Sequence, residues 1–397
     1  MTLSRHTPPH IVTLVLMAGL SALPTNIFLP SLHGMARDFG VDYAIMQLSV
    51  SAYLAVSAGL QLVIGPLSDR FGRRRIVLAA IALFLLATLG TLLARDAWTF
   101  LAFRMAQAVV ATCMVLSRAV IRDQVDGPAA ASRIAYVTMG MSLVPMLAPM
   151  LGGWLDETFG WRASFAFLAA AGLGVGALVW ADLGETGTRN PGGWAAQIRA
   201  YPDLLSSRRF WGYCAAATTS SGAFFAYLGG ASFIGAEVYQ MSPAHLGAYF
   251  ALPSVGYAIG NLASGRWSVR LGLDRMILIG ALVGIVALGV PLAAMLAGAH
   301  SPLIFFGAVG LLGIANGLVL PSANAGMMSV RADLAGSASG LGSALNIGGG
   351  AALSAVAGSL LTPETGAEVL LAIMLASSVL TLAAILWVRA RKRQIGL

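Results

Sequence analysis

Twelve apolar runs, each long enough to cross a lipid bilayer as a helix, leave this chain few ways to fold. They fall near residues 11–32, 43–65, 76–94, 97–120, 131–154, 163–181, 210–234, 244–265, 276–297, 303–325, 336–361 and 367–388. The hydrocarbon core of a bilayer takes about 20 consecutive apolar residues of helix. Backbone amides find no water there, so each run must satisfy its own hydrogen bonds. A membrane β-strand would be shorter and would alternate in polarity. Only 10% of the 397 residues are charged and 58% are hydrophobic, whereas a soluble domain keeps about 25% charged. The expected fold class is an all-α membrane protein of twelve transmembrane helices.

The basic residues set its orientation. With both termini on one side, 20 of the 24 Lys and Arg residues fall on that side, and Arg37, Arg95 and Arg162 on the other. Such a bias marks the cytoplasmic side, so both termini are expected in the cytoplasm. The remaining base, Arg104, lies inside a span. The 16 carboxylates divide evenly between the sides, and none falls at mid-membrane depth. The first apolar run, behind Arg5, continues through "PTNIFLPSL" and is read as the first span rather than a leader peptide.

One polar connection stands out, 182–209. It suggests a six-helix bundle over residues 1–183, a cytoplasmic loop over 184–209 and a second bundle over 210–397. An internal repeat agrees. "GPLSDRFGRRR" (65–75) follows the second span, and "GRWSVRLGLDR" (265–275) follows the eighth. Gly65, Arg70, Gly72 and Arg75 recur 200 residues later as Gly265, Arg270, Gly272 and Arg275. Many transporters are built from repeated halves, with the substrate site between them near the midplane.

Several chemistries are excluded. Cys113 and Cys214 lie in separate apolar runs and fit no metal spacing. The net charge of +8 follows from cationic loops, so no nucleic-acid partner is expected. No nucleotide-binding loop, His/Glu metal pair or nucleophile elbow is present. The chain is expected to be no enzyme and to need no cofactor or metal. Its partners would be the lipid bilayer and a small-molecule substrate, and it would act as a monomer.

Residue types then single out candidate positions. Arg104 lies about 10 Å deep at 1.5 Å per residue. A charge at that depth usually faces the protein interior or a wet cavity. "GMSLVPMLAPMLGG" (140–153) puts Pro145 and Pro149 four apart. Each removes a backbone donor and bends the helix, while Gly140, Gly152 and Gly153 permit close approach of a neighbour. Gln47, Tyr53, Phe225, Tyr227 and Tyr257 are candidates to line an amphipathic cavity, although each taken alone fits a packing role better. Asn316 and Asn324, around Pro321, fit either a cavity-lining kink or plain packing, and the small residues of 336–350 are read as packing residues.

These motifs together resemble the major facilitator superfamily. "GPLSDRFGRRR" is similar to its loop 2–3 signature, "FRMAQA" (103–108) to its fourth-span motif and "PMLGG" (149–153) to its antiporter motif, with Ala148 where the pattern has glycine. "NIFLPSL" (26–32), "RAVIRD" (118–123) and "GWRASFAFL" (160–168) resemble the Bcr/CflA subgroup of bicyclomycin and chloramphenicol resistance transporters, which are drug:proton antiporters. The resemblance implies two pseudo-symmetric six-helix bundles and efflux by alternating access. It implies a cytoplasmic gate of Gly65, Asp69, Arg70, Gly72 and Arg73, with Asp69 facing the start of the eleventh helix and Arg73 paired to Asp123. It also implies proton coupling through Arg104, with Gln107 or polar groups of the first span. The chain departs from the subgroup at Asn26, where an aspartate is usual. Asparagine cannot titrate. His33 and Asp38 lie nearer the outer surface and do not obviously replace that acid. The expected substrates are neutral or anionic amphipaths, and a uniporter or metabolite exporter that has lost proton coupling stays open as the alternative.

Overall fold

The computed structural model of the chain describes residues 9–125, 127–186, 202, 204–331, 334–362, 364 and 366–394. Among the described residues every regular element is helical. The first bundle comprises α1 (Ile11–Asp38), α2 (Tyr43–Phe71), α3 (Arg73–Leu93), α4 (Ala97–Gln124), α5 (Gly127–Ser142 continued by Val144–Phe159) and α6 (Arg162–Asp182). The second comprises α7 (Arg208–Phe233), α8 (Pro243–Tyr249 continued by Ala251–Leu271), α9 (Leu273–Leu296), α10 (Pro302–Ser329), α11 (Ala335–Leu360) and α12 (Gly366–Gln394). The face carrying the α2–α3 and α8–α9 junctions is called the basic face, and its opposite the far face.

Ten of these helices are long and apolar enough to cross a membrane by composition, and α7 and α8 fall short. For α7 the reason is visible in its contacts. α7 carries Thr218, Thr219, Ser220 and Ser221, and these groups turn into the protein. Ser220 Oγ donates to Asn316 Oδ1 at 2.7 Å, Ser377 Oγ donates to the Thr219 carbonyl at 2.6 Å, and Ser221 Oγ bonds Asn346. Polar groups inside a membrane protein are satisfied by neighbouring helices. α7 is accordingly buried along most of its length.

The sequence repeat is a structural repeat. Gly72 and Gly272 end α2 and α8 with φ of 96° and 80°, a region open to glycine and costly for other residues. Each donates its N–H to the serine four residues back, Ser68 or Ser268, at 2.9 Å. Each also accepts from the residue four ahead, Ile76 at 3.3 Å or Met276 at 3.2 Å. Two helices thus meet through one glycine, in the same way in both halves.

Helices in lipid gain little from apolar burial against one another, so close packing has to hold them together. The α8–α10 pair shows how. A side chain added at Gly256 or Gly260 would strike the backbone of Gly310 or Ile314, and one added at Gly313 or Gly317 would strike that of Pro253 or Tyr257. The first bundle is filled instead by an aromatic cluster of Phe28, Phe39, Phe100, Trp161 and Phe165, with centroids 5.4–5.9 Å apart.

Candidate functional site

The two bundles meet along a seam, and its middle holds a cavity of about 260 Å³. Ala22 of α1 and Thr138, Met141 and Pro145 of α5 supply one wall. The other wall includes Phe224 and Phe225 of α7, Tyr257 of α8, Asn316 and Leu320 of α10, and Asn346 of α11. Among the described residues its lining holds no carboxylate, lysine, arginine or histidine. The polar groups are hydroxyls and amides on a largely apolar surface, which suits an uncharged or weakly polar organic body.

Pro145 reaches this wall because α5 is broken. Proline offers no N–H to the preceding turn, and the helix divides at Leu143. Beyond the break α5 runs against its neighbours. Gly152 lies on the Ile27 carbonyl of α1, and Gly153 on the Pro243 backbone of α8, while Gly247 of α8 lies on the Pro149 carbonyl. Gly140, nearer the basic face, packs on Val15 of α1.

The seam is closed at the far face by contacts that cross it. Tyr43 Oη donates to the Gly229 carbonyl at 2.7 Å. Gln47 Nε2 donates to the carbonyl and hydroxyl of Ser354 at 2.7 and 2.9 Å. Its amide sits between Gly229 and Gly358, where a side chain on either glycine would collide with it. Gln47 is therefore a seam residue, outside the cavity lining. Nearer the surface His33 Nε2 lies 2.7 Å from Glu237 Oε1, without hydrogen-bond alignment. Arg37, Asp156 and Gln240 share with them a polar cleft of about 480 Å³.

Arg104 occupies a different place. It is fully buried among α1, α2, α3 and α4 of the first bundle. Its Nη2 donates to the Pro24 carbonyl at 2.6 Å, Nε to the Ser49 carbonyl at 3.2 Å and Nη1 to Gln107 Oε1 at 2.8 Å. Gln107 Nε2 in turn donates to Thr88 Oγ1 at 2.8 Å. The rings of Tyr53 and Phe28 cover the guanidinium at 4.1 and 4.5 Å, a favourable cation–π arrangement. Every acceptor is neutral, so Arg104 ties four helices without an ion pair. Asn26, nearby on α1, is buried and spends its Nδ2 on the Ala22 carbonyl at 2.8 Å.

At the basic face Arg73 Nη1 meets Asp69 Oδ1 at 2.6 Å, its Nε meets Asp123 Oδ2 at 3.1 Å, and Nη1 also bonds Ser68. The Arg73 amide donates to Glu185 Oε1 at 2.6 Å. All these groups belong to the first bundle and the end of α6. Asp69 is engaged with Arg73. Asp333, just before α11, lies outside the described residues, as do Arg5, Asp126, Arg189, Arg199 and Asp203. Arg70 stands over the Phe71 ring at 5.3 Å, and Gly65 faces open space.

The other candidates divide. Phe225, Tyr257 and Asn316 line the cavity. Tyr227 is fully buried in an aromatic cluster with Phe250, Phe305 and Phe306, and Asn324 is exposed. Sequence reasoning overlooked the α8–α10 glycine contacts, although Gly256 and Gly260 stand at small-xxx-small spacing. It also passed over Asn346, which lies within a glycine-rich stretch.

Two bundles, a seam and a central cavity describe a carrier, and the profile of the Major Facilitator Superfamily matches residues 14–351 and, a second time, 234–396. The chain belongs to the major facilitator superfamily. As a superfamily member it is a multi-pass membrane transporter and not an enzyme. It is 29% identical over 294 residues to the uncharacterized MFS-type transporter YdgK of Bacillus subtilis (strain 168), which spans 72% of this chain and 73% of that protein. It is 32% identical over 213 residues to a chloramphenicol resistance protein of Pseudomonas aeruginosa, covering 52% of this chain and 50% of that protein. A bicyclomycin resistance protein homolog of Haemophilus influenzae matches at 27% over 271 residues, 67% of this chain and 68% of that protein. These relatives fit the resemblance to the Bcr/CflA subgroup. A bacterial homolog of the human lysosomal transporter Spinster, inward-facing and occupied, superposes with a TM-score of 0.72 at 16% identity over 96% of each chain. The peptide transporter POT in complex with sulfate gives 0.75 at 16% identity over 97% of this chain and 94% of its own. At such identities the superpositions show the superfamily fold alone.

Proposed function

We propose that the protein exports small amphipathic compounds, drugs or metabolites, across the bacterial inner membrane by alternating access. The observation that carries this reading is the cavity between the bundles, with no carboxylate among its described lining residues, closed toward the far face by residues of both halves. Without a buried acid the cavity offers no counter-charge to a cation, so neutral or anionic amphipaths are the substrates. The relatives' names, chloramphenicol and bicyclomycin resistance among them, support drug efflux. The excess of Lys and Arg on the basic face supports a cytoplasmic location for that face and both termini.

Proton antiport is the proposed driving reaction. The ionisable groups best placed to change surroundings with the far face are His33, Glu237 and Asp156 of the polar cleft. A second reading, uniport without proton coupling, is favoured by one observation: Asn26, where the subgroup carries an acid, is buried and bonded to its own helix. The decisive experiment loads proteoliposomes with a pH dye and imposes substrate and proton gradients separately. Antiport predicts substrate-driven proton movement, while transport indifferent to an imposed pH gradient would establish the uniporter. Expression in a pump-deficient host, scored against phenicols, bicyclomycin and cationic dyes, tests export itself. The expected result is protection from neutral or anionic agents and none from cationic dyes.

A further inference from the structure

The RAVIRD segment, residues 118–123, contains two arginines whose role the transport cycle above leaves unassigned. Its acid, Asp123, is taken by Arg73 at 3.1 Å. Arg118 and Arg122 stand four residues apart on α4, so their side chains are neighbours on one helix face. Arg118 is only half-buried, six residues from the end of α4, or about 9 Å inside the basic face. Its electrostatic neighbours are Arg122, of like charge, and Tyr257 of the second bundle. Among the described residues it has no hydrogen bond and no ion pair.

Four other bases among the described residues have acceptors. Arg73 has Asp69 and Asp123, Arg104 has two carbonyls and an amide, Arg162 has Asp38 at 3.1 Å and Lys392 has Asp274 at 2.8 Å. A half-buried guanidinium beside a second one of like charge is disfavoured, and an anion between the two would relieve that repulsion. Guanidinium groups hold carboxylate, phosphate or sulfonate oxygens by two parallel hydrogen bonds, a strong and directional contact. Tyr257, an electrostatic neighbour of Arg118 from the other half, is itself a wall of the central cavity.

We propose that Arg118, supported by Arg122 and near Tyr257, is an anion-binding site at the basic-face mouth of the central cavity. It takes the charged end of an amphipath that carries a carboxylate, phosphate or sulfonate. The apolar body lies against Met141, Phe224, Phe225 and Leu320, and the charge stays at the mouth. Arg118 belongs to one half and Tyr257 to the other, so a ligand held there contacts both halves, and its binding favours the state in which they approach. This inference rests on the amphipath reading above and narrows it to anionic members.

The test uses two fluorescent probes of similar body, anilinonaphthalene sulfonate and the uncharged phenyl-naphthylamine. Each is titrated against the full chain in phosphatidylcholine nanodiscs with empty nanodiscs subtracted. The wild type is expected to favour the sulfonate by about tenfold, the scale of one charge-assisted contact. Arg118→Gln should bring that ratio close to one, Arg118→Lys should retain part of it, and Arg122→Gln should lower it by about two- to threefold. An unchanged ratio in monodisperse Arg118→Gln protein of wild-type melting temperature would overturn the site. Lipid phosphate is the other source of such an anion. If phosphatidylglycerol abolishes the preference and co-purifies with the wild type but not with Arg118→Gln, the site holds lipid and its assignment to substrate falls. Binding of neither probe would overturn the amphipath reading, and the site with it.

Discussion

The two faces of the molecule are held together in opposite ways. At the far face, polar contacts cross the seam: Tyr43 to Gly229, Gln47 to Ser354, His33 to Glu237, and Ser242 to Glu157 at 3.4 Å. At the basic face those between described residues stay within one half. Arg73 gathers Asp69, Asp123 and Glu185 inside the first bundle. Asp274 accepts from Tyr213 at 2.6 Å and from Lys392 at 2.8 Å inside the second. Among the described residues one face is a joint between two bodies, and the other is two separate edges. Such an arrangement describes a carrier sealed at the far face, and the glycines of α5 and α8 let the backbones come close enough to seal it.

If the bundles are bodies and the far face is a joint, substitutions should sort by which of the two they touch. The largest effect belongs to a body. Arg104→Ala leaves Gln107 and the carbonyls of Pro24 and Ser49 without their donor in a dry interior. The expected loss is about 3 kcal/mol of stability, seen as a lower melting temperature in detergent, with the far-face distances unchanged in the protein that remains folded. Next comes the joint itself. Gly153→Val drives a side chain into the Pro243 backbone, and overpacking of this kind costs about 2 kcal/mol. The cost falls on the closed far face alone, so its population should drop by about thirtyfold relative to the open one, measured as accessibility of far-face cysteines.

Gln47→Ala removes two hydrogen bonds across the seam. It should shift the same equilibrium by about 1 kcal/mol, or roughly fivefold, with little change in melting temperature. Smallest is Asp123→Asn. Arg73 keeps Asp69 and Ser68, and the pair is near the surface, so about 0.5 kcal/mol is at stake. A melting point lower by about 1 °C is expected, with no change in the far-face equilibrium. A far-face opening as large as that of Gln47→Ala would break the distinction between joint and edges.

How far the sequence revealed this depends on what lipid can and cannot distinguish. Span positions were legible because water rejects apolar runs. α7 weakened that signal, since its Thr and Ser residues pair inside the protein. The loop repeat was legible through Gly72 and Gly272, which a positive φ requires. Rotation of a helix about its axis was not legible. Protein interior and lipid are equally apolar, so hydropathy does not say which face of α4 or α7 turns inward. That is why Arg104 could be placed in depth but not assigned to the bundle rather than the cavity, and why Tyr227 and Tyr257 looked alike. Gly152 and Gly153 were legible because two adjacent glycines after two prolines have few uses other than close contact.

The most direct measurement of the account uses spin labels on both faces. Cys113 and Cys214 are buried, so introduced cysteines can be labelled selectively. One pair replaces the exposed far-face residues Arg37 and Gln240, and another replaces the exposed basic-face residues Phe71 and Val269. Pulsed dipolar spectroscopy in nanodiscs should give a short far-face distance in the resting protein. As substrate and pH are varied, a second population should appear in which the far-face distance lengthens and the basic-face distance shortens together. Distances that never change, or that change at one face without the other, would contradict two rigid halves rocking about a central site.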